Sequence, residues 1–459
     1  MSSNAGQIDY AIIGGGISGL ASAWFLQQRG YSVQVLEAAS EIGGTLRSRV
    51  ESGFLIEQGP NSTLENTDAL GELISGVGLN DSLQVANPVS NRRYILKNQR
   101  LESLPLGVKD FLRTPLFSAR GKLRLLAEPF IRRATTEESI AEFVRRRLGE
   151  EFLDWAIDPF ISGVYAGDPE RLSIRAATAK IYALEVESGS LIRGMVRRLF
   201  QGKKTGPTPS GRMISFAGGM QTLARGISLT LGASVRTQSR VTALEFSADG
   251  RWRIRIAPTA TLGADMVIAR AILICIPADQ AAQLLAPLSP IAATILQSIR
   301  YPAVASVALG FRREQIKHPL DGFGFLIPRR CNIETLGTLF SSSLFPNRAP
   351  DGCVLLTSFL GGARNSHLAE YDDDELSQKI LQDISPTLGI TGMPTLRAVT
   401  VWPRAIPQYE LGHLTQLANL DNALNKFPQL FTRANWRDGI SVADCVRNAR
   451  DFARLAQLN

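Results

Sequence analysis

The first forty residues constrain the fold of this chain more than any other stretch. Asp9-Tyr10-Ala11-Ile12-Ile13 is a short, mostly apolar run that leads into Gly14-Gly15-Gly16-Ile17-Ser18-Gly19. A second run, Ser32 to Leu36, ends at Glu37 and Ala38. The order strand, glycine turn, helix, strand, acid suits the ADP half of a dinucleotide. Gly14 is expected to make the turn, and Gly16 to let backbone approach a pyrophosphate. Gly19 is expected to let helix and strand pack closely, and Glu37 to accept hydrogen bonds from a ribose. The pyrophosphate would rest on free N–H groups at the helix N-terminus. The helix has an apolar face at Leu20, Trp24 and Leu26 and stops at Gly30. A glycine turn needed only for packing would leave Glu37 without a task. The fold class expected is α/β with a Rossmann-like nucleotide-binding domain.

With 459 residues, 44% of them apolar and 20% charged, the chain can build two or three well-packed domains. Its four cysteines, Cys275, Cys331, Cys353 and Cys445, are far apart and form no metal-binding spacing. They read as reduced thiols of a cytoplasmic protein. His318, His367 and His413 form no cluster, so no metal is expected. The N-terminus carries no signal-peptide pattern. The longest uncharged stretch, Gln280 to Ile299, is interrupted by Pro287 and Pro290, so it does not read as a membrane span.

The net charge of +8 is unevenly distributed. Val108 to Arg133 interleaves Lys109, Arg113, Arg120, Lys122, Arg124, Arg132 and Arg133 with Phe111, Leu112, Leu116, Phe117, Leu123, Leu126, Phe130 and Ile131. Leu191 to Phe200, followed by Lys203 and Lys204, repeats the pattern. Such stretches suit a helix lying in an anionic interface. They equally suit a solvated helical face over an ordinary core stripe. No nucleic-acid recognition motif accompanies the charge, so no nucleic-acid partner is expected.

Residues 91–204 read mostly helical, and Gly206-Pro207-Thr208-Pro209-Ser210-Gly211 reads as a loop between subdomains. Beyond it, Val241 to Phe246 and Trp252 to Ile256 read as strands joined across Asp249-Gly250. Ala271 to Ile276 reads as a buried strand. Val304 to Phe311, Gly324 to Ile327 and Val354 to Phe359 suggest a second, antiparallel sheet. Three units are expected: a discontinuous nucleotide domain of 1–90, 211–285 and 425–459, a helical unit of 91–205, and a substrate-binding unit of 286–424.

Several segments resemble known flavoproteins. Glu41-Ile42-Gly43-Gly44-Thr45-Leu46-Arg47-Ser48 resembles the paired-glycine motif of the flavin amine oxidase superfamily. Pro159-Phe160-Ile161-Ser162-Gly163-Val164-Tyr165-Ala166-Gly167-Asp168, followed by Leu172-Ser173, is similar to the signature of the protoporphyrinogen oxidase family. Asn91-Arg92-Arg93-Tyr94, Phe323-Gly324-Phe325-Leu326, Leu360-Gly361-Gly362 and Ile406-Pro407-Gln408-Tyr409 with Gly412-His413 agree with it in order, nearly end to end. One departure is Ala434, where the family usually has glycine before the residue matching Asn435; Arg433 beside it is also unusual. The resemblance implies FAD as cofactor and a helical domain on one membrane leaflet, which favours the interfacial reading of 108–133. It places Gly14 to Gly19, Glu37, Ala38, Gly44, Thr45 and Arg47 around the cofactor. Gly59, Pro60, Asn61, Ser62, Val241, Trp402 and Ile406 join them, with Gly439, Ile440, Ser441 and Val442 leading a helix towards the flavin. It places Arg93 on a substrate propionate, and Gly163, Phe323, Gly324, Leu326 and Phe359 around the macrocycle.

The activity implied is oxidation of protoporphyrinogen IX to protoporphyrin IX, with dioxygen reoxidising the flavin. No side chain is assigned as catalytic; the flavin N5 is the expected hydride acceptor. Oxidation of coproporphyrinogen III, which carries four propionates, is an alternative. A non-catalytic binding protein on the same fold is a second, and it would have a degraded dinucleotide site. The expected location is the cytoplasmic face of a membrane, without a span; a homodimer is left open.

Overall fold

The computed structural model describes residues 8–200, 211–258, 263, 265–437 and 439–458. The 206–210 break, Lys203, Lys204 and Asp438 lie outside the described residues.

Strand Ile8–Ile13 runs through the middle of a seven-stranded sheet, with Val33–Leu36 on one side and Asp265–Ile274 on the other, both parallel to it. Val235–Arg236 extends one edge. On the other, the antiparallel hairpin Val241–Phe246 and Trp252–Ile256 pairs with the first half of Asp265–Ile274. Leu430–Thr432 lies beside the second half. Side chains alternate across a strand, and here the alternation divides two cores. Tyr10 and Ile12 face the helices Ile17–Gln28, Gln221–Leu231 and Val442–Leu455. Ala11 and Ile13 face Ala278–Leu285, Pro290–Gln297 and His413–Leu424. The last two helices fall within the expected 286–424 unit, yet they share the nucleotide-domain core. The uncharged Gln280–Ile299 stretch belongs to two short helices broken before Pro290. No described helix is long and apolar enough to cross a membrane.

The second seven-stranded sheet runs, edge to edge, Leu396–Trp402, Val304–Arg312, Cys353–Gly361, Gly337–Leu339, Gly324–Leu326, Tyr94–Lys97 and Arg100–Ser103. Every pairing is antiparallel except Gly324–Leu326 with Tyr94–Lys97. The start of the 91–204 stretch is therefore not helical. It is a hairpin on this sheet, turned by Asn98 and Gln99 in the left-handed region. Apolar alternation over only four residues left it hidden in the helical reading. Leu309, Phe311 and Leu356 on one face pack under the capped helix Asp373–Leu388. The opposite face carries the site described below.

The remaining helices lie between. Ile140–Arg147 starts with a capping box, Ser139 and Glu142 each bonding the other's backbone N–H. Fully buried Arg147 pairs with Glu128 at 3.1 Å and with Glu185. Glu128 also accepts from the N–H groups of Leu191 and Ile192, which open the helix Leu191–Phe200. One buried charge cluster thus ties together four helical pieces.

The 108–133 stretch is three short pieces, Val108–Arg113, Ala119–Arg124 and the 3₁₀ turn Leu125–Phe130. Its apolar residues do not share one exposed face. Leu116 and Phe117 are core, Phe117 stacking on Phe152 at 4.0 Å. Leu112, Leu123, Leu126 and Phe130 are exposed, Phe130 by 81%.

Candidate active site

The glycine turn after Ile8–Ile13 meets a second glycine turn. Gly43 N–H donates to Gly15 O at 2.8 Å, and Gly16 bridges Gly43. Glu37 lies at the end of the neighbouring strand. Its carboxylate accepts from Gly15 N–H at 2.7 Å and from Ala39 N–H at 2.8 Å. Two lone-pair directions remain free for ribose hydroxyls. Ser239 N–H donates to Glu37 O at 2.7 Å, which brings Val241, two residues on, to the same end of the groove. Ala38 is exposed there.

The groove fits a dinucleotide, and Gly16 is the test. A Cβ at Gly14 would sit 2.8 Å from Ile276 Cγ2, and one at Gly19 would overlap Gly14 O, so packing alone demands both glycines. A Cβ at Gly16 would meet nothing within 4 Å. No protein atom explains that glycine; an approaching pyrophosphate does. Gly16 also caps the helix Ile17–Gln28 without a side-chain acceptor, and its first turn holds no acid. Its leading N–H groups, from Ile17, Ser18 and Gly19, suit an anion.

The groove continues along Gly44, Thr45 and Arg47. A Cβ at Gly59 would overlap Thr45 O, so the Gly59-Pro60-Asn61-Ser62 turn lies directly on this loop. Glu57, buried at the end of strand Phe54–Glu57, anchors both. It accepts from Ser48 Oγ at 2.5 Å and Met220 N–H at 2.9 Å and faces Arg348 at 3.5 Å. Burial pushes its carboxyl above the ordinary value, against Ser48 and Arg348. At the far end, Ser441 caps the helix Val442–Leu455 through Asp444 N–H. Tyr409 Oη accepts from Gly439 N–H at 2.9 Å and donates to Asn435 O. The tyrosine thereby fixes the turn that carries Gly439 and Ile440. Sequence reading gave Tyr409 no role; its place in the Ile406–His413 block was the available signal. Ala434 is buried and leaves this turn intact.

The substrate face follows from strand register. Leu326 stands opposite Gly337, Gly337 opposite Phe359, Phe359 opposite Ser306, and Ser306 opposite Thr400. Opposed residues share a face, so these five make one stripe. Leu326 also aligns with Ile95, which puts Arg93, two residues earlier, on the same side. Trp402 lies two residues beyond Thr400. Its indole N–H donates to Gln58 O at 2.6 Å, while Gln58 Nε2 donates to Thr400 Oγ1 at 3.4 Å. Arg47 lies 6.0 Å from the Trp402 ring. The stripe therefore ends against the Gly59-Pro60 turn. It spans four strand steps, about 19 Å at roughly 4.8 Å each. Gly337, not anticipated from sequence, lets Leu326 lean over its strand: a Cβ there would sit 3.1 Å from Leu326 Cδ2.

Arg93 stands at the other end. Its guanidinium sits 5.1 Å over the Phe323 ring. Its Nε is buried without a hydrogen-bond partner, and no acid pairs with it among the described residues. Burial lowers its pKa, although a guanidinium stays charged. Arg92 points the other way, exposed and paired with Asp321, whose other oxygen accepts from Tyr94 Oη at 2.8 Å. Gly163 packs on Leu326: a Cβ there would overlap Leu326 Cδ2. Gly324 is explained by packing alone, since its Cβ would overlap Thr338 O. Ile406 lies on the approach to Tyr409, its carbonyl accepting from Gln408 Nε2 at 2.9 Å. No group of three or more His, Cys, Asp or Glu is placed to hold a metal among the described residues.

The dinucleotide groove thus opens onto a sheet face that carries Leu326, Gly337 and Phe359. The flavin containing amine oxidoreductase family matches residues 17–455. Protoporphyrinogen oxidase 1 of Arabidopsis thaliana chloroplasts is 35% identical over 97% of this chain and 87% of its own length. The chain belongs to the protoporphyrinogen oxidase family of the flavin containing amine oxidoreductases. Coproporphyrinogen III oxidase of Bacillus subtilis is 30% identical over 96% of both chains. A solved Exiguobacterium structure, provisionally assigned as a protoporphyrinogen oxidase, has a TM-score of 0.82, with 26% identity over 98% of this chain and 99% of its own. Membership in this family, with its intact groove, makes the protein an FAD-dependent oxidoreductase and excludes the non-catalytic reading.

Proposed function

We propose that the protein oxidises protoporphyrinogen IX to protoporphyrin IX in haem biosynthesis. The observation that carries this reading is Arg93, a largely buried cation with no acid partner among the described residues, at the end of a stripe, apolar at Leu326, Gly337 and Phe359, that reaches the cofactor groove. A guanidinium fork over an aromatic ring suits a propionate, and Leu326, Gly337 and Phe359 suit a broad apolar macrocycle. FAD, held by Gly16, Glu37, the 43–47 and 59–62 turns and the 439–442 turn, supplies the two-electron redox chemistry when bound. The chain orients the macrocycle on the stripe, excludes water from it and holds one carboxylate. Dioxygen is the proposed electron acceptor.

Coproporphyrinogen III is the second reading, favoured by the relative from Bacillus. It brings four carboxylates. Beside the stripe, Arg92 pairs with Asp321, Arg330 with Asp154 and Arg364 with two aspartates, which leaves Arg93, of these four arginines, without an acid partner among the described residues. That census favours the dicarboxylate. Anaerobic mixing of the yellow holoenzyme with each porphyrinogen, following flavin bleaching, tests both. Bleaching by protoporphyrinogen at the lower half-saturation supports the first reading. The reverse order selects the second, and no bleaching by either refutes both.

We further propose a peripheral location on the cytoplasmic face of a membrane. Exposed Val108, Leu112, Leu123, Leu126 and Phe130 among basic residues support it, as do Val196 and Phe200 on the second basic helix.

A further inference from the structure

We infer that Arg364 is a positioning residue of the porphyrinogen site, setting how closely Gly163 packs on Leu326 and so how firmly Leu326 is held; the inference rests on the function proposed above. Helix Asp158–Tyr165 carries Gly163. Arg364 Nη2 donates to Asp158 Oδ1 at 2.5 Å, in the first turn of this helix, and to Asp168 Oδ1 at 3.0 Å, just beyond its end. One guanidinium thereby holds both ends of one helix. All three side chains are mostly buried, at 20%, 10% and 19% exposure.

The clamp reaches both walls of the site. Arg364 follows Phe359 by five residues, at the end of strand Cys353–Gly361. Ala363 N–H donates to Ala166 O at 2.8 Å, which fastens the same two segments through backbone. Asp158 Oδ2 also receives Arg329 N–H at 3.4 Å, three residues after Leu326. Strand Gly324–Leu326, strand Cys353–Gly361 and the Gly163 helix thus converge on one carboxylate–guanidinium cluster. Without Arg364, two mostly buried carboxylates face each other uncompensated. The helix then shifts from Leu326, where packing is so close that only glycine fits. Leu326, no longer backed by the helix, grips the macrocycle less in ground and transition state alike, which raises KM more than it lowers kcat.

The test uses the FAD-loaded enzyme and three variants, Arg364→Lys, Asp168→Asn and Gly163→Ala. Lysine keeps the charge, but its shorter chain does not carry a nitrogen to the Nη2 position that bonds both aspartates. Asp168→Asn keeps the Arg364–Asp158 pair, so it remains informative if Arg364→Lys does not fold. Two readouts are taken: KM and kcat for protoporphyrinogen, and the Kd of protoporphyrin IX from fluorescence quenching. Arg364→Lys is expected to raise KM and Kd about tenfold, with kcat within about twofold. Asp168→Asn is expected to raise them less. Combined with Gly163→Ala, the Arg364→Lys and Asp168→Asn effects are each expected to be non-additive, because both changes act on the one Gly163–Leu326 contact. A lowered Tm with KM and Kd unchanged in the folded variants, or strict additivity, overturns the inference alone. Wild-type enzyme that neither binds protoporphyrin nor oxidises the porphyrinogen overturns the proposed function, and the inference with it.

Discussion

Arg92 and Arg93 are adjacent in sequence and opposite in role. Extended backbone sends Arg93 to the apolar stripe and Arg92 to Asp321 in solvent. Arg93→Ala is expected to raise KM for the porphyrinogen by roughly 1.5–3 kcal/mol of lost charge-assisted bonding, with kcat less affected and Lys restoring part. Arg92→Ala removes an exposed, solvent-screened pair and should leave both stability and KM little changed. Steady-state kinetics at equal FAD content decides; a defect in Arg92→Ala alone would reverse the assignment. His413 makes a second test at this scale. It is buried, stacked on Tyr409 at 4.3 Å, and burial pulls its pKa from 6.5 to about 4. Above the ordinary value the imidazole is neutral folded and unfolded. Between about 6.5 and 4 only the unfolded chain takes up the proton, so stability falls as pH drops through that window. The loss approaches the order of 3 kcal/mol at the acid end. His413→Phe keeps the stack and removes this component. Urea midpoints from pH 7 to 4.5 should therefore fall more steeply for wild type, and parallel curves would sink the argument.

At the scale of elements, the basic 108–130 stretch separates two functions that its sequence mixes. Leu116 and Phe117 hold it to the core around Phe152, and Leu126 and Phe130 point outward. Leu126→Ser with Phe130→Ser is expected to release the protein from anionic vesicles while shifting Tm little. Phe117→Ser is expected to cost about 3–5 kcal/mol, as for large-to-small core changes. Vesicle co-sedimentation beside thermal melting distinguishes them. Retention of the double variant on vesicles at low salt would place the interface elsewhere. None of the short pieces of this stretch is long enough to be stable alone; the Glu128–Arg147–Glu185 cluster fixes Leu125–Phe130, and Glu151, accepting from Ser118 N–H and Oγ, holds the start of Ala119–Arg124.

Across the whole molecule, the cofactor groove is assembled from segments near residues 16, 37, 44, 59 and 439. FAD touching all of them binds the folded state and not the unfolded chain. Added FAD at a hundred times its Kd should stabilise the apoprotein by about 2.7 kcal/mol. Calorimetry across FAD concentrations measures this, and a Tm that ignores FAD would contradict the assembled groove. FMN lacks the adenosine that Glu37 would hold and should stabilise much less.

The nucleotide unit was legible in sequence because its physics is local: Gly14, Gly16, Gly19 and Glu37 lie within one strand–helix–strand span. The block around Gly163 was legible through resemblance. Its mechanical role was not, because Asp158, Asp168 and Arg364 meet only after two hundred residues of intervening chain fold. Likewise Gly337, Tyr409 and the hairpin Tyr94–Ser103 give weak signals along the chain, being one glycine, one tyrosine and two four-residue strands. Sequence by itself determined that the chain carries a dinucleotide-binding unit, and it nominated the residues expected to border the cofactor. Tertiary structure decided which arginine stays unpaired, which of the apolar residues of 108–130 face outward, and how the stripe meets the groove. Those properties depend on strand register and burial, which distant contacts set and no local pattern encodes.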